Sequence, residues 1–428
     1  MVKNVLKNVL DEQLNLIKPG KDVLREIKKI TDEFTKTLER NLNEETPDTE
    51  VFVGGSFAKG TLVKKDKYDV DIFVRFDHRI DNISLLLGDS LVKTCKSREF
   101  KLEKIHGSRD YFKVYSTDND FYFEIIPVSK IKKAREERNV TDLSYFHVSY
   151  VKRKAKKILD DILLAKTFCQ ANKIYGAESY IKGFSGYALE CLIIHYGGFE
   201  KMLKGLSKVE NKLVVDIENR YKKNDVFFEI NESKLGSPVI LVDPTYKERN
   251  ALASLSQETF DRFKKSAISF LKNPNIRFFE KSSIDVKKMI RKANKNKFEF
   301  LNLELETDKQ TGDIAGTKLK KFSDMLILEL GKYFHIKEKE FEYNEEKSAE
   351  VFLMLKSKKE IIRIGPPLKM KKHVKSFKKE HRKTYEKGGY LHTKIKVDFS
   401  GKDFCKDYSK KYSKKLKEMS VINLKIIN

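Results

Sequence analysis

Cysteine is scarce in this chain: four in 428 residues, at Cys95, Cys169, Cys191 and Cys405, with no CxxC pair among them. Such spacing argues against both a zinc ribbon and a disulfide framework, and it fits a reducing cytosol. No uninterrupted apolar run approaches the roughly 20 residues that span a bilayer. The N-terminal "MVKNVLKNVLDEQLNLIKPG" alternates charged with apolar residues, which is an amphipathic helix and not a signal peptide. Repeats and long low-complexity linkers are missing too, so domain borders are soft. A soluble, cytoplasmic protein with no membrane partner is expected.

Acidic residues are in deficit. Against 88 Lys and Arg stand 63 Asp and Glu, a formal net charge of +25. An excess of that size points to a polyanionic partner, nucleic acid ahead of an anionic membrane surface. The plainer source is an AT-rich genome that writes Lys wherever a surface position is free. Apolar residues make up 40% and aromatics 11%, enough for roughly two to four domains with their own cores.

Apolar spacing predicts two helices over residues 1–44, broken at "KPG". "EVFVGGS" reads as a strand entering a glycine turn, "YDVDIFVRF" as a second strand, and 84–95 as a helix. "FKVYSTDND" and "FYFEIIPVS" then form a β-hairpin about Asp118, Asn119 and Asp120. Long helices follow in "SYVKRKAKKILDDILLAKTFCQANKIYG", "GFSGYALECLIIHYGGFEKMLKG" and "LSQETFDRFKKSAISFLKN", with a buried strand and an Asp-Pro turn in "VILVDPTYKERNALA". Beyond residue 275 the pattern is mixed: strands "KFEFLNLELE" and "AEVFLML", the helix "KLKKFSDMLILELGKYF", and a basic helix-like stretch "GPPLKMKKHVKSFKKEHRKTYEKGG".

The chemistry concentrates in "FVGGSFAKGTLVKKDKYDVDIFVRF", residues 52–76. Asp69 and Asp71 flank Val70 in a strand, so both carboxylates emerge on one face and repel unless a cation lies between them. An acid-x-acid triplet alone is weak, since about nine are expected by chance at this acid content. Context raises it: a Gly54-Gly55-Ser56 turn just upstream, apolar flanks, and a third acid, Glu124, in "FYFEIIPV". If that strand pairs nearby, three carboxylates converge. Such a trio suits Mg²⁺ shared with substrate phosphates, and two ions can clamp an in-line phosphoryl displacement. The turn offers backbone N–H groups and the Ser56 hydroxyl to a triphosphate, and Lys59 a point charge. The plain alternative is a solvated strand end beside an ordinary turn.

"GGSFAKGT", "DVDIFV" and "FEIIPV" together resemble the head of the DNA polymerase β-like nucleotidyltransferases. "YFHVSYV", "YGAESYIKGFSGY", "VDPTYKERNALASLS" and "IGPPLKMKKHVKSFKKEH" narrow the likeness to the archaeal-type (class I) CCA-adding enzymes, running in order from about residue 14 to 400. This resemblance implies an α+β multidomain protein. Its parts would be a catalytic head with a mixed sheet and helices (1–145), a helical neck completing the nucleotide pocket (146–272), and an α/β body and tail that bind tRNA (273–428, the tail roughly 335–395). It further implies that Asp69, Asp71 and Glu124 hold Mg²⁺ as the catalytic trio. Gly55, Ser56, Lys59, His147, Lys166 and Tyr175 would bind the nucleotide, and Arg249 with Asn250 would read the base. The family usually carries Arg at position 59 and Asp at position 124.

The implied activity is addition of C, C and A to the tRNA 3′ end from CTP and ATP, without a template. The body and tail would grip the acceptor stem and elbow, and a homodimer is left open. Two rivals stand beside it: another transferase of the superfamily, such as a poly(A) or oligoadenylate synthase, and a tRNA-binding relative without catalysis. Among the remaining histidines, His195 is expected as a core residue of an apolar helix face. His373 and His381 are expected at the surface or on phosphates.

Overall fold

The break at residues 18–20 separates two helices, α1 (Val2–Ile17) and α2 (Lys21–Asn43). The computed structural model describes residues 2–96, 100–117, 119–222, 225–281 and 284–427. It divides into two units, Met1–Ala177 with Ile181–Ser282, and Glu178–Tyr180 with Ser283–Asn428.

The first unit opens on a five-stranded sheet of β1 (Glu50–Val53), β2 (Tyr68–Asp77), β3 (Phe100–Ile105), β4 (Tyr111–Ser116) and β5 (Phe121–Lys130), in the order β1-β2-β5-β4-β3. Two helices interrupt the strands, the short α3 (Gly55–Lys59) and α4 (Ile83–Cys95). β2 and β5 run parallel, while β1–β2, β4–β5 and β3–β4 are antiparallel. The expected hairpin is therefore β4–β5, although Asp118 lies outside the described residues.

Period-two alternation decides which way the sheet faces. Val70, Ile72, Val74 and Phe76 of β2 and Phe121, Phe123 and Ile125 of β5 are buried with Phe34 and Leu38 of α2 and Leu87 and Leu91 of α4. Asp69, Asp71, Phe73 and Arg75 consequently project from the opposite face.

A second core follows in the same unit. It is built from α5 (Ser144–Lys154), α6 (Leu159–Ala171), α7 (Gly186–Tyr196), α8 (Phe199–Ser207), α9 (Val226–Glu229) and α10 (Gln257–Lys272). Beside them lies a small sheet of β6 (Leu213–Asp216), β7 (Val239–Asp243) and β8 (Tyr246–Asn250), ordered β6-β7-β8. Phe168 of α6 is ringed by Phe199, Phe263, Phe270 and Phe279 at centroid distances of 5.6, 6.4, 5.7 and 5.8 Å. α1 contributes Leu6 and Ile17 to this core, and Lys18 pairs with Asp160 at 2.8 Å. The N-terminal helix thus packs with this second core.

The helical run after residue 149 is two helices and not one. α5 ends on Lys152, Arg153 and Lys154 while α6 starts with Asp160 and Asp161, so each terminus carries the charge its dipole favours. Likewise α7 stops at Gly197 and Gly198, whose φ of 70° and 144° suit glycine. His195, near that end, is exposed instead of sitting in the core.

The second unit comprises α11 (Val286–Lys295), β9 (Glu299–Glu306), α12 (Asp313–Gly331), β10 (Phe334–Tyr343), β11 (Ser348–Ser357), β12 (Glu360–Pro367), α13 (Lys371–Glu380), β13 (Thr384–Lys387), β14 (Tyr390–Lys396), α14 (Gly401–Lys411), α15 (Ser413–Glu418) and β15 (Asn423–Ile426). An antiparallel sheet ordered β10-β11-β9-β15 packs Leu301, Leu303, Val351 and Leu353 against Leu319, Phe322 and Leu326 of α12. Met289 and Ala293 of α11 cover Phe352 and Met354 on its other side. Burial on both faces explains the unbroken apolar run "VFLML". A separate sheet, β12-β14-β13, carries α13. Of the basic stretch expected as helical, its Gly and Pro residues instead complete β12, an edge strand where proline is tolerated. His373 is exposed on α13, and His381 rests against Phe377 with a ring-centroid distance of 4.5 Å. Among the described residues, no helix is long and apolar enough to cross a membrane.

Candidate active site

The glycine pair after β1 brings backbone directly against the acid strand. Gly54 N–H donates to the Asp71 carbonyl at 2.8 Å. Gly55 has φ +58°, and a Cβ there would lie 1.6 Å from Asp71 Oδ2. Only glycine fits, for want of both space and a relaxed left-handed conformation. Ser56 follows in the first turn of α3, half-buried.

In the parallel register of β2 and β5, Asp71 lies opposite Glu124 and Asp69 opposite Tyr122. Asp69, Asp71 and Glu124 therefore share one face. Each meets positive charge: Asp69 is paired with Lys65, and Glu124 with Lys113 at 3.2 Å. Asp71 is the most enclosed. Burial, and then the charge of Glu124, push its carboxyl up to about 6, although Lys59, Lys65 and Lys166 oppose the rise.

As these side chains lie, no group of three or more His, Cys, Asp or Glu among the described residues is gathered to hold a metal ion. The donor set nevertheless fits one. Three carboxylates on one face offer hard oxygen ligands, and the charge of Glu124 opposes ionisation of the buried Asp71 opposite it, a repulsion that a cation between them would relieve.

Lys59 and Lys166 converge from α3 and α6 on a residue that sequence reasoning did not single out. Glu190, fully buried in α7, accepts from Lys59 Nζ at 2.7 Å and from Lys166 Nζ at 2.9 Å. Thr61 Oγ1 also donates to Glu190 at 2.9 Å and accepts from Lys166 at 2.8 Å. Burial alone would raise the Glu190 carboxyl, but Lys166 and Lys59 bring it down to about 2. Tyr175 stands alongside: a Cβ on Gly186 would meet its hydroxyl at 2.9 Å and Lys166 Cε at 3.7 Å. A glycine at 186 lets these two side chains approach each other.

A second buried acid organises the rest. Asp243, at the end of β7, accepts from His147 Nε2 at 3.0 Å, Arg249 Nη1 at 2.7 Å, Tyr187 Oη at 2.9 Å and Thr245 N at 2.8 Å. Burial opposes its ionisation, yet the bond from His147 and the charges of His147 and Arg249 hold its carboxyl well below the usual range. The His147 ring stacks on Tyr187 at 3.8 Å, and burial lowers its pKa despite Asp243. Tyr187, bonded to Asp243, and Glu190, bonded to Lys59, lie three residues apart on α7, so the two clusters adjoin on one helix.

Asn250 does not join that region. Its amide spans Leu241 N, Leu252 N, Lys234 O and Ser237 Oγ, which commits it to folding the loop. Removing the charge of Asp243 leaves Arg249 and His147 without their shared anchor. Asp243→Asn is expected to lower stability by about 3 kcal/mol, read from the urea midpoint. An unmoved midpoint would mean that this hub holds little together.

Comparison with known proteins shows the family and the fold. Residues 35–158 match the family described as nucleotidyltransferase domain, and residues 160–280 match tRNA nucleotidyltransferase, second domain. Among solved structures, the RNA terminal uridylyl transferase Cid1 shares the fold, with a TM-score of 0.51 at 14% identity over 66% of this chain and 100% of that one. Fold and acid-bearing sheet define a nucleotidyltransferase, a class that works with divalent metal ions.

The chain is 34% identical over 398 residues to a CCA-adding enzyme of Nanoarchaeum equitans, covering 91% of this chain and 93% of that protein. A CCA-adding enzyme of Methanosarcina mazei is 28% identical over 391 residues, 88% of this chain and 82% of its own. The chain belongs to the family of CCA-adding enzymes.

Proposed function

We propose that this chain adds C, C and A in turn to the 3′ end of tRNA, using CTP and ATP without a template and releasing pyrophosphate. One observation carries the reading: the register that sets Asp71 opposite Glu124, beside a Gly55 turn pressed against Asp71, in a member of this family.

The tRNA 3′-hydroxyl attacks the nucleotide α-phosphate, and pyrophosphate leaves with the bond electrons. Asp69, Asp71 and Glu124 would hold Mg²⁺, which when bound neutralises phosphate charge and acidifies the attacking hydroxyl. Lys59 and Lys166 take the triphosphate, each as a point charge, with the Tyr175 hydroxyl as a further donor. Ser56 and the backbone N–H groups from Gly55 hold phosphate oxygens. His147 lies by the sugar or phosphates, and Arg249 offers its fork to acceptors on the base. The basic C-terminal half takes the acceptor stem and elbow of tRNA by charge and shape. The cytoplasm is the compartment this chemistry serves.

Three tRNA substrates, ending before CCA, after one C and after two, are each given labelled CTP or ATP separately. CTP alone should add two residues to the first and one to the second, while ATP alone should extend only the third. ATP runs on any RNA end would identify an oligoadenylate-type transferase. tRNA binding with no incorporation would identify a non-catalytic relative.

A further inference from the structure

We propose that Glu190 is the positioning residue that gathers Lys59 and Lys166 into one triphosphate-binding pair, an inference that rests on the nucleotidyltransferase reading. Three observations support it. The first is location. Glu190 sits amid Ala188, Leu189, Cys191, Leu192 and Ile193, all fully buried, where a carboxylate is tolerated only if its oxygens are bonded.

The second is division of labour between its oxygens. Oε2 takes Lys59 from α3, while Oε1 takes Lys166 from α6 together with the Thr61 hydroxyl. Those lysines come from different cores of the first unit, and their ammonium groups would repel each other without an anion between them. With side chains only 10% and 5% exposed, neither ammonium is well hydrated. Glu190 sets where both stand before any nucleotide arrives, and the trio keeps one net positive charge.

The third is what surrounds the trio. Gly55, on the short helix α3 that carries Lys59, presses against Asp71 of β2, whose carboxylate feels the charge of both lysines. Tyr175 lies against Lys166 over Gly186, and Lys59 reaches electrostatically to His147 of α5 and Cys191 of α7. A pair held there presents its charge to the same region as the acid face. Glu190 itself touches no substrate; it acts through the lysines.

The test is Glu190→Gln, with Glu190→Asp as a second variant that keeps the charge but shortens the reach. Glu190→Gln should raise the KM for CTP and for ATP by about tenfold or more, while kcat at saturating nucleotide and the KM for tRNA stay within about threefold. In a Lys59→Ala background the same substitution should add less than about threefold, because part of what it acts through is gone. Glu190→Asp should fall between wild type and Glu190→Gln. A nucleotide KM within twofold of wild type would overturn the proposal. So would equal losses in kcat and in both KM values with a lowered Tm, or failure of both variants to fold, since either describes a structural brace. The wild-type chain is assayed alongside. If it extends no tRNA, the transferase assignment fails, and equilibrium binding of CTP to wild type and Glu190→Gln still decides the role of Glu190.

Discussion

Asp71→Asn is expected to abolish nucleotide incorporation, by about a thousandfold or more, and at the same time to stabilise the metal-free protein at neutral pH. The loss follows from its place: Asp71 is the innermost of three acids on one face, opposite Glu124 and against the Gly55 turn. The gain follows from the same enclosure. Its carboxyl rises from the ordinary 3.8 to about 6 in the folded chain, chiefly through burial. Between those values the native state keeps a proton that the unfolded state has released. Stability therefore falls as pH rises from about 4 to about 6 and stays lower above that window. That rise corresponds to about 3 kcal/mol, a penalty that asparagine escapes. Urea midpoints in EDTA should favour the variant at pH 7.5 and converge with wild type near pH 4, with tRNA affinity unchanged. Parallel midpoints at both pH values would remove the argument from enclosure.

Gly55→Ala should be almost as damaging, for a reason of space. The added methyl would lie 1.6 Å from Asp71 Oδ2, so backbone or carboxylate must move. A displacement near 1 Å at a reacting centre costs about a hundredfold in rate, and the left-handed φ of +58° adds about 1–2 kcal/mol of strain. Gly60 supplies the control. It too is left-handed, at φ +70°, but its nearest neighbour for a Cβ is a Leu159 methyl at 3.5 Å. Gly60→Ala should lose similar stability while keeping incorporation within a few-fold of wild type. If both variants lose activity equally, backbone strain and not the approach to Asp71 is the cause.

Much of this architecture could be read from residue pattern because strong periodicity met local punctuation. The period-two run of β2 told both that it is a strand and that Asp69 and Asp71 share its outer face. The position of Glu124 beside them depended on a long-range pairing that no local pattern contains. Two buried acids escaped notice. Glu190, in "YALECLII", looked like an interruption of an apolar helix, and Asp243 like half of an Asp-Pro turn. A lone carboxylate inside an apolar run was the available signal, since burial of an unpaired charge is so unfavourable. The split between α5 and α6 carries no Pro or Gly, and its only trace is basic residues followed by acidic ones.

The parallel partnership of β2 and β5 also has a consequence for synthesis. Residues roughly fifty positions apart must meet, and the whole excursion through α4, β3 and β4 has to be made in between. A nascent chain that has emerged only through β4 has Asp69 and Asp71 without Glu124 beside them, so the shared acid face is incomplete however well its early helices form. That face is completed in one step, when β5 slots into the middle of the sheet.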